Sequence, residues 1–118
     1  MTWEILYHDA FDAWLNEQGE DVQDSVLFSL ELLQAEGPLL GRPHVDTLKG
    51  SKYSNLKELR VQHRGEPWRI LFAFDPKRRA AILLGGNKAG KDNWYNENIP
   101  IAEKRFEEHL RAMKEENS

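Results

Sequence analysis

Residues 56–85 read LKELRVQHRGEPWRILFAFDPKRRAAILLG, a run that resolves into three strands and two tight turns. Leu56–Gln62 alternates, with Leu59 and Val61 on one face and Glu58, Arg60 and Gln62 on the other. Trp68–Phe74 places Trp68, Ile70, Phe72 and Phe74 on one face, and Arg69, Leu71 and Ala73 on the other. Arg79–Gly85 supplies the third strand. His63-Arg64-Gly65-Glu66-Pro67 and Asp75-Pro76-Lys77-Arg78 carry the glycine and proline that turns require. Connections this short make the three strands an antiparallel meander.

Upstream, Trp3, Ile5 and Tyr7 alternate with Thr2, Glu4 and Leu6, a short half-buried strand. A helix over Asp9–Gln18 follows, with Phe11, Trp14 and Leu15 on one side and Asp9 and Asp12 favouring its N-terminal dipole. After Gly19, residues 20–36 form a longer helix. Val22, Val26, Leu30 and Leu33 fall at helical spacing, Leu27 and Phe28 broaden the stripe, and Gly37-Pro38 closes it. Residues 38–55 show no period and read as an ordered loop. Downstream, Ile99–Lys114 is a helix with Pro100 in its first turn and Ile101, Ala102, Phe106 and Leu110 toward a core, and Glu115–Ser118 is a frayed tail. The order is β-α-α-β-β-β-α. This predicts one α+β domain over residues 1–118, a mostly antiparallel four-stranded sheet with its helices packed on one face.

The bulk composition narrows the function classes. The chain has 118 residues and no cysteine, so disulfides, thiolate metal sites and cysteine nucleophiles are excluded. No apolar run approaches the roughly 18–20 residues a bilayer span needs. The opening Met1-Thr2-Trp3-Glu4 lacks the basic start of a signal peptide, which fits a cytoplasmic protein. The net charge of −4 is unevenly spread. Residues 1–41 hold nine acids and no Lys or Arg, and residues 42–91 hold twelve bases and four acids, a local balance of +8. Such segregation builds a positive field over one face that the overall charge conceals.

The candidate chemistry lies within that basic segment. Arg60 and Arg69 interrupt core-like strands, and a guanidinium fork suits a phosphate, although Arg60 also has Glu58 nearby as a salt-bridge partner. Gly85-Gly86-Asn87-Lys88-Ala89-Gly90-Lys91 lacks the spacing and hydroxyl of a Walker loop. It reads either as a flexible strand exit presenting Lys88 and Lys91 to an RNA backbone, or as a glycine-rich turn with solvated lysines. Of the next pair, Trp94 suits the core and Tyr95 a functional role. His63 is a candidate acid–base group and also a plausible solvated turn residue. Lys49, Lys52, Lys57, Arg64 and Lys91 are candidate RNA-backbone contacts. The remaining histidines, His8, His44 and His109, show no metal-ligand spacing.

Leu56-Lys57-Glu58-Leu59-Arg60, Pro67-Trp68-Arg69-Ile70-Leu71-Phe72-Ala73-Phe74, Leu83-Leu84-Gly85-Gly86-Asn87-Lys88 and Trp94-Tyr95 together resemble the RelE/ParE toxin superfamily. The resemblance is strongest to its phage-derived, HigB-like branch and runs from the first strand to the final helix. It implies the toxin of a type II toxin–antitoxin system, an endoribonuclease that cuts mRNA on the ribosome by attack of the RNA's own 2′-hydroxyl, without metal or cofactor. It implies Arg69 as the phosphate-stabilising arginine, Lys88 and Tyr95 near the family's basic residue and C-terminal tyrosine, and Arg60 at a recurrent basic position. Where well-studied ribonuclease members carry lysine on the first meander strand, this chain has Glu58, which leaves His63, Tyr95 or Lys57 as the base. The implied partners are the ribosome, mRNA and a helix-turn-helix antitoxin, with operator DNA reached only through that antitoxin. A ParE-like inhibitor of DNA gyrase and a non-catalytic interaction module remain as alternatives.

Overall fold

The meander forms the centre of the sheet in the computed structural model, which describes residues 2–116. Strands β3 (Leu56–His63), β4 (Glu66–Phe74) and β5 (Arg79–Asn87) are antiparallel, with Leu59 opposite Ile70 and Arg60 opposite Arg69. Arg64 and Gly65 both adopt positive φ, 53° and 78°. That two-residue reversal matches the strand twist and lets β4 begin at Glu66, earlier than its apolar pattern indicates. β1 (Glu4–Tyr7) joins the far side of β5 in parallel, pairing from Arg79 to Ile82.

Two features correct the sequence reading. The stretch expected to be a loop contains a short strand, β2 (Val45–Thr47), antiparallel to β3, so the sheet has five strands in the order β1-β5-β4-β3-β2. Helices also cover both faces. On one face, α1 (Asp9–Asn16) and α2 (Glu20–Glu36) bury Phe11, Leu15, Val26, Leu30 and Leu33 against Leu59, Val61, Ile70, Phe72 and Ile82. On the other, α3 (Trp94–Glu116) packs Ile99, Ala102 and Phe106 on Leu56, Leu71, Ala73 and Leu83. Central strands read Ile70–Phe74 and Ala80–Leu84 without a polar break, the pattern of a sheet buried on both sides. The α+β class stands. Phe28 does not join the core: it is 70% exposed.

α3 starts five residues before the expected Ile99, because buried Trp94 seats its first turn and backbone bonds from Trp94 to Lys91 and from Glu97 to Asn93 begin the helix. Pro100 therefore lies inside the helix rather than in its first turn. At the other end α3 continues through Glu116, which Lys77 Nζ meets at 3.1 Å, so the tail expected to fray is helical that far. Residues 117–118 lie outside the described residues.

A buried carboxylate ties the β4–β5 turn to α3. Asp75 accepts from the backbone N–H groups of Lys77 and Arg79, from Arg79 Nε at 2.9 Å and from His109 Nε2 at 2.8 Å. Burial alone would push its carboxyl up, but the bonds from His109 and Arg79 outweigh it and hold it below the ordinary 3.8. A depressed folded value contributes stability above the ordinary one, and this is lost as pH falls through the folded value. Asp75→Asn is expected to cost about 2–3 kcal/mol at neutral pH by leaving the largely buried Arg79 with only the longer contact to Glu116, at 3.9 Å. In thermal melts, the gap from wild type should narrow as pH drops below 3.8.

Candidate active site

Arg60 and Arg69 sit directly opposite one another on β3 and β4, on the face that α3 covers only in part. Like charges at such positions repel. Glu58, two residues before Arg60 on the same strand face and only 5% exposed, supplies the compensating charge. Arg69 Nε lies 3.2 Å and Arg60 Nε 4.0 Å from Glu58 Oε1. Arg60 Nη2 also reaches Asp46 on β2 at 3.2 Å, while Arg69 Nη1 donates to the Trp68 carbonyl at 3.0 Å. Neither arginine Nε is aligned for a hydrogen bond: both are buried and without an acceptor among the described residues. Two guanidinium groups thus stand side by side around one carboxylate, an arrangement that suits a phosphate group.

Tyr95 enters from the first turn of α3. Its hydroxyl donates to Glu58 Oε1 at 2.6 Å and lies 3.1 Å from Oε2. Burial and the bond to Glu58 push the Tyr95 phenol up to about 12, so at neutral pH it is a proton donor. Lys88 Nζ sits 5.3 Å from the Tyr95 ring centroid, a cation–π contact. Lys49 joins Glu58, Arg60 and Tyr95 in lining a cavity of about 230 Å³.

These residues lie within the span matched by a family model. The model for the phage-derived Gp49-like proteins matches residues 13–107, most of the chain. The chain belongs to that family. Similar proteins include two from Mycobacterium tuberculosis. "Putative toxin HigB2" is 47% identical over 86% of this chain, and "Putative toxin HigB3" is 49% identical over 84% of it. The matched region spans 52% of the first relative and 86% of the second. The fold is RelE-like. A free-state mutant of the E. coli toxin RelE superposes with a TM-score of 0.60 at 13% identity, covering 89% of this chain and 98% of that one. The toxin–antitoxin complex RelBE2 from M. tuberculosis gives 0.56 at 15% identity, covering 74% of this chain and 99% of that one.

In this Gp49-like chain, Arg60, Arg69, Lys88, Tyr95 and Lys49 come together, and five other candidates do not join them. His63 lies on the opposite sheet face, where Nδ1 meets Ser25 Oγ at 2.8 Å and Nε2 meets Asp21 at 3.1 Å, tying β3 to α2. Lys57 shares that opposite face and reaches Thr47 Oγ1 at 3.4 Å. Arg64, at the hairpin tip, pairs with Asp21, and Lys52 pairs with Glu107 on α3. Lys91 is exposed beyond the end of β5. Glu58, which sequence reading passed over as a departure, is the residue that holds this cluster together. Its signal was a carboxylate two residues from one strand arginine and diagonal to a second on the next strand.

The glycine pair has a structural explanation. Gly85 and Gly86 are part of β5, not a flexible exit. A Cβ at Gly85 would lie 2.4 Å from the Trp14 ring, and one at Gly86 would lie 3.0 Å from the Trp94 indole on the other face. Two tryptophans therefore clamp the strand where it carries no side chains. Gly85→Ala is expected to destabilise the fold by about 1–3 kcal/mol through overpacking. Chemical denaturation would read this as a lower midpoint with unchanged slope.

Proposed function

We propose that this chain is the toxin of a toxin–antitoxin pair and cuts mRNA held in the ribosomal decoding site. The observation that carries the reading is the pair of facing arginines, Arg60 and Arg69, gathered around one buried carboxylate that is itself bonded to a protonated tyrosine. A scissile phosphate would be held by the guanidinium groups of Arg69 and Arg60, which then stabilise the charge growing on its oxygens. Of the bases left open by the sequence, His63 and Lys57 face the wrong way, and Tyr95 is held protonated. Glu58 is the group positioned to accept the proton of the attacking 2′-hydroxyl. The 2′-oxygen bonds to phosphorus as the 5′-oxygen leaves. Tyr95 gives its proton to that 5′-oxygen and regains one from Glu58, closing the circuit with a 2′,3′-cyclic phosphate and a free 5′-hydroxyl.

The basic segment supports this reading only locally, because most of its cations are spent on structure. Arg42, Lys52, Arg60, Arg64, Arg69, Lys77 and Arg79 all meet carboxylates. Among the described residues of that segment, Lys49, Lys57, Arg78, Lys88 and Lys91 form no ion pair, and of these Lys49 and Lys88 lie at the site, where they are available to an RNA backbone. The RelBE2 neighbour, a toxin–antitoxin complex, supports an antitoxin as the silencing partner; by family resemblance it would be a helix-turn-helix protein.

The test is induced expression in a bacterial host with mRNA 5′ ends mapped. Growth arrest with new in-frame cuts is the expected result. Arrest with DNA damage and intact mRNA would favour gyrase inhibition, and harmless expression would favour a binding module; either would overturn the proposal.

A further inference from the structure

We propose that a second cavity, at the free end of β5, receives an unpaired nucleobase flanking the scissile phosphate. This deepens the ribonuclease reading and rests on it for the RNA identity of the ligand. β1 covers β5 only as far as Ile82, whose carbonyl bonds His8 N–H, and the Leu83 carbonyl is taken by Arg105. Past that point the strand edge is open. Lys88 N–H turns inward to the Pro67 carbonyl, so by strand alternation the backbone N–H and C=O of Gly85 and Asn87 face outward. They border a cavity of about 790 Å³ walled by Trp14, Trp68 and Trp94.

Three properties point to a base rather than a phosphate or an apolar ligand. Indole walls offer the flat surfaces on which unpaired bases stack. Trp68 Nε1 is buried without a hydrogen-bond partner among the described residues, and the outward backbone groups add a donor–acceptor edge. The charged rim is Lys91, Asp92 and Glu97, one cation against two anions, which repels phosphate and accepts hydrogen bonds from an exocyclic amino group. The location also fits. Gly86 is the cross-strand partner of Arg69, so the cavity starts about one strand spacing, roughly 5 Å, from the phosphate-binding arginine. A base carrying an amino group, hence adenine, cytosine or guanine ahead of uracil, is the favoured occupant.

The experiment is a tryptophan-fluorescence titration of the intact chain with AMP, CMP, GMP, UMP and ribose 5-phosphate. Three of the four tryptophans line the cavity, so emission reports on it directly. The amino-bearing nucleotides should quench emission, UMP should bind more weakly, and ribose 5-phosphate should have no effect. Trp68→Phe, which keeps the ring and loses the N–H donor, should bind about five-fold more weakly. Glu97→Gln, an exposed change that removes one of the two rim anions, should weaken the discrimination against UMP. A flat response to every nucleotide, or an equal response to ribose 5-phosphate, overturns the proposal. The readout needs no cleavage: nucleotide binding without mRNA cuts would sink the ribonuclease reading alone, and cuts without binding would sink only the base pocket.

Discussion

Arg69→Ala is expected to abolish growth arrest and to lower mRNA cleavage by roughly 10²–10³-fold, the usual loss when one preorganised donor to a developing oxyanion is removed. The change deletes the guanidinium nearest Glu58, at 3.2 Å, and one of the two unsatisfied Nε donors. Because the arginine is largely buried, loss of fold must be separated from loss of chemistry. Arg69→Lys makes that separation. It keeps a cation beside Glu58, so the melting temperature should stay close to wild type. It cannot present a planar fork, so cleavage should fall nearly as far as in the alanine variant. If Arg69→Lys cuts mRNA at the wild-type rate, the arginine serves the fold and the assigned role is wrong.

Glu58 should give the second large effect, and it divides two roles. Glu58→Ala leaves Arg69 buried beside no carboxylate, and is expected to destabilise the protein by about 3–5 kcal/mol. Glu58→Gln keeps the shape and an acceptor for Tyr95 but cannot take a proton. If Glu58 is the base, cleavage by this variant should fall roughly 10²–10⁴-fold while the protein stays folded. Cleavage at or above the wild-type rate would mean that Glu58 only restrains the arginines. Tyr95 stays protonated up to about 12 in wild type, so it imposes no alkaline loss of activity below that pH. Circular dichroism alongside single-turnover cleavage on programmed ribosomes would read both quantities.

Much of this site was legible along the chain. Arg60 and Arg69 stood out because each breaks an apolar alternation, and the two-residue strand period puts both on one face whatever packs above them. Tyr95 was singled out beside Trp94, but its role was not evident, since its helix was expected to start later, at Ile99. Asn93, Asn96 and Asn98 are weak helix formers, and the burial of Trp94 overrides their preference. His63 and Lys57 carried suitable chemistry, yet their parity on β3 sends them to the face of α1 and α2. That parity was readable from Leu59 and Val61; what it meant was not, because the sheet was expected to have helices on one side only.

The sequence by itself determined the three meander strands, their antiparallel pairing and the non-core parity of Glu58, Arg60 and Arg69, because periodicity is a local property of the backbone. Tertiary structure alone decided which charges are free. Twelve bases in one segment look like a binding surface, but Lys52, Arg60, Arg64 and Lys77 meet carboxylates brought from α2, β2 and α3, at separations in sequence that no local pattern reports. The same holds for Gly85 and Gly86: only when Trp14 and Trp94 close on β5 from opposite faces does the pair become a packing requirement. Side-chain direction follows from the chain, whereas the partner each side chain meets follows from which distant element folds over it.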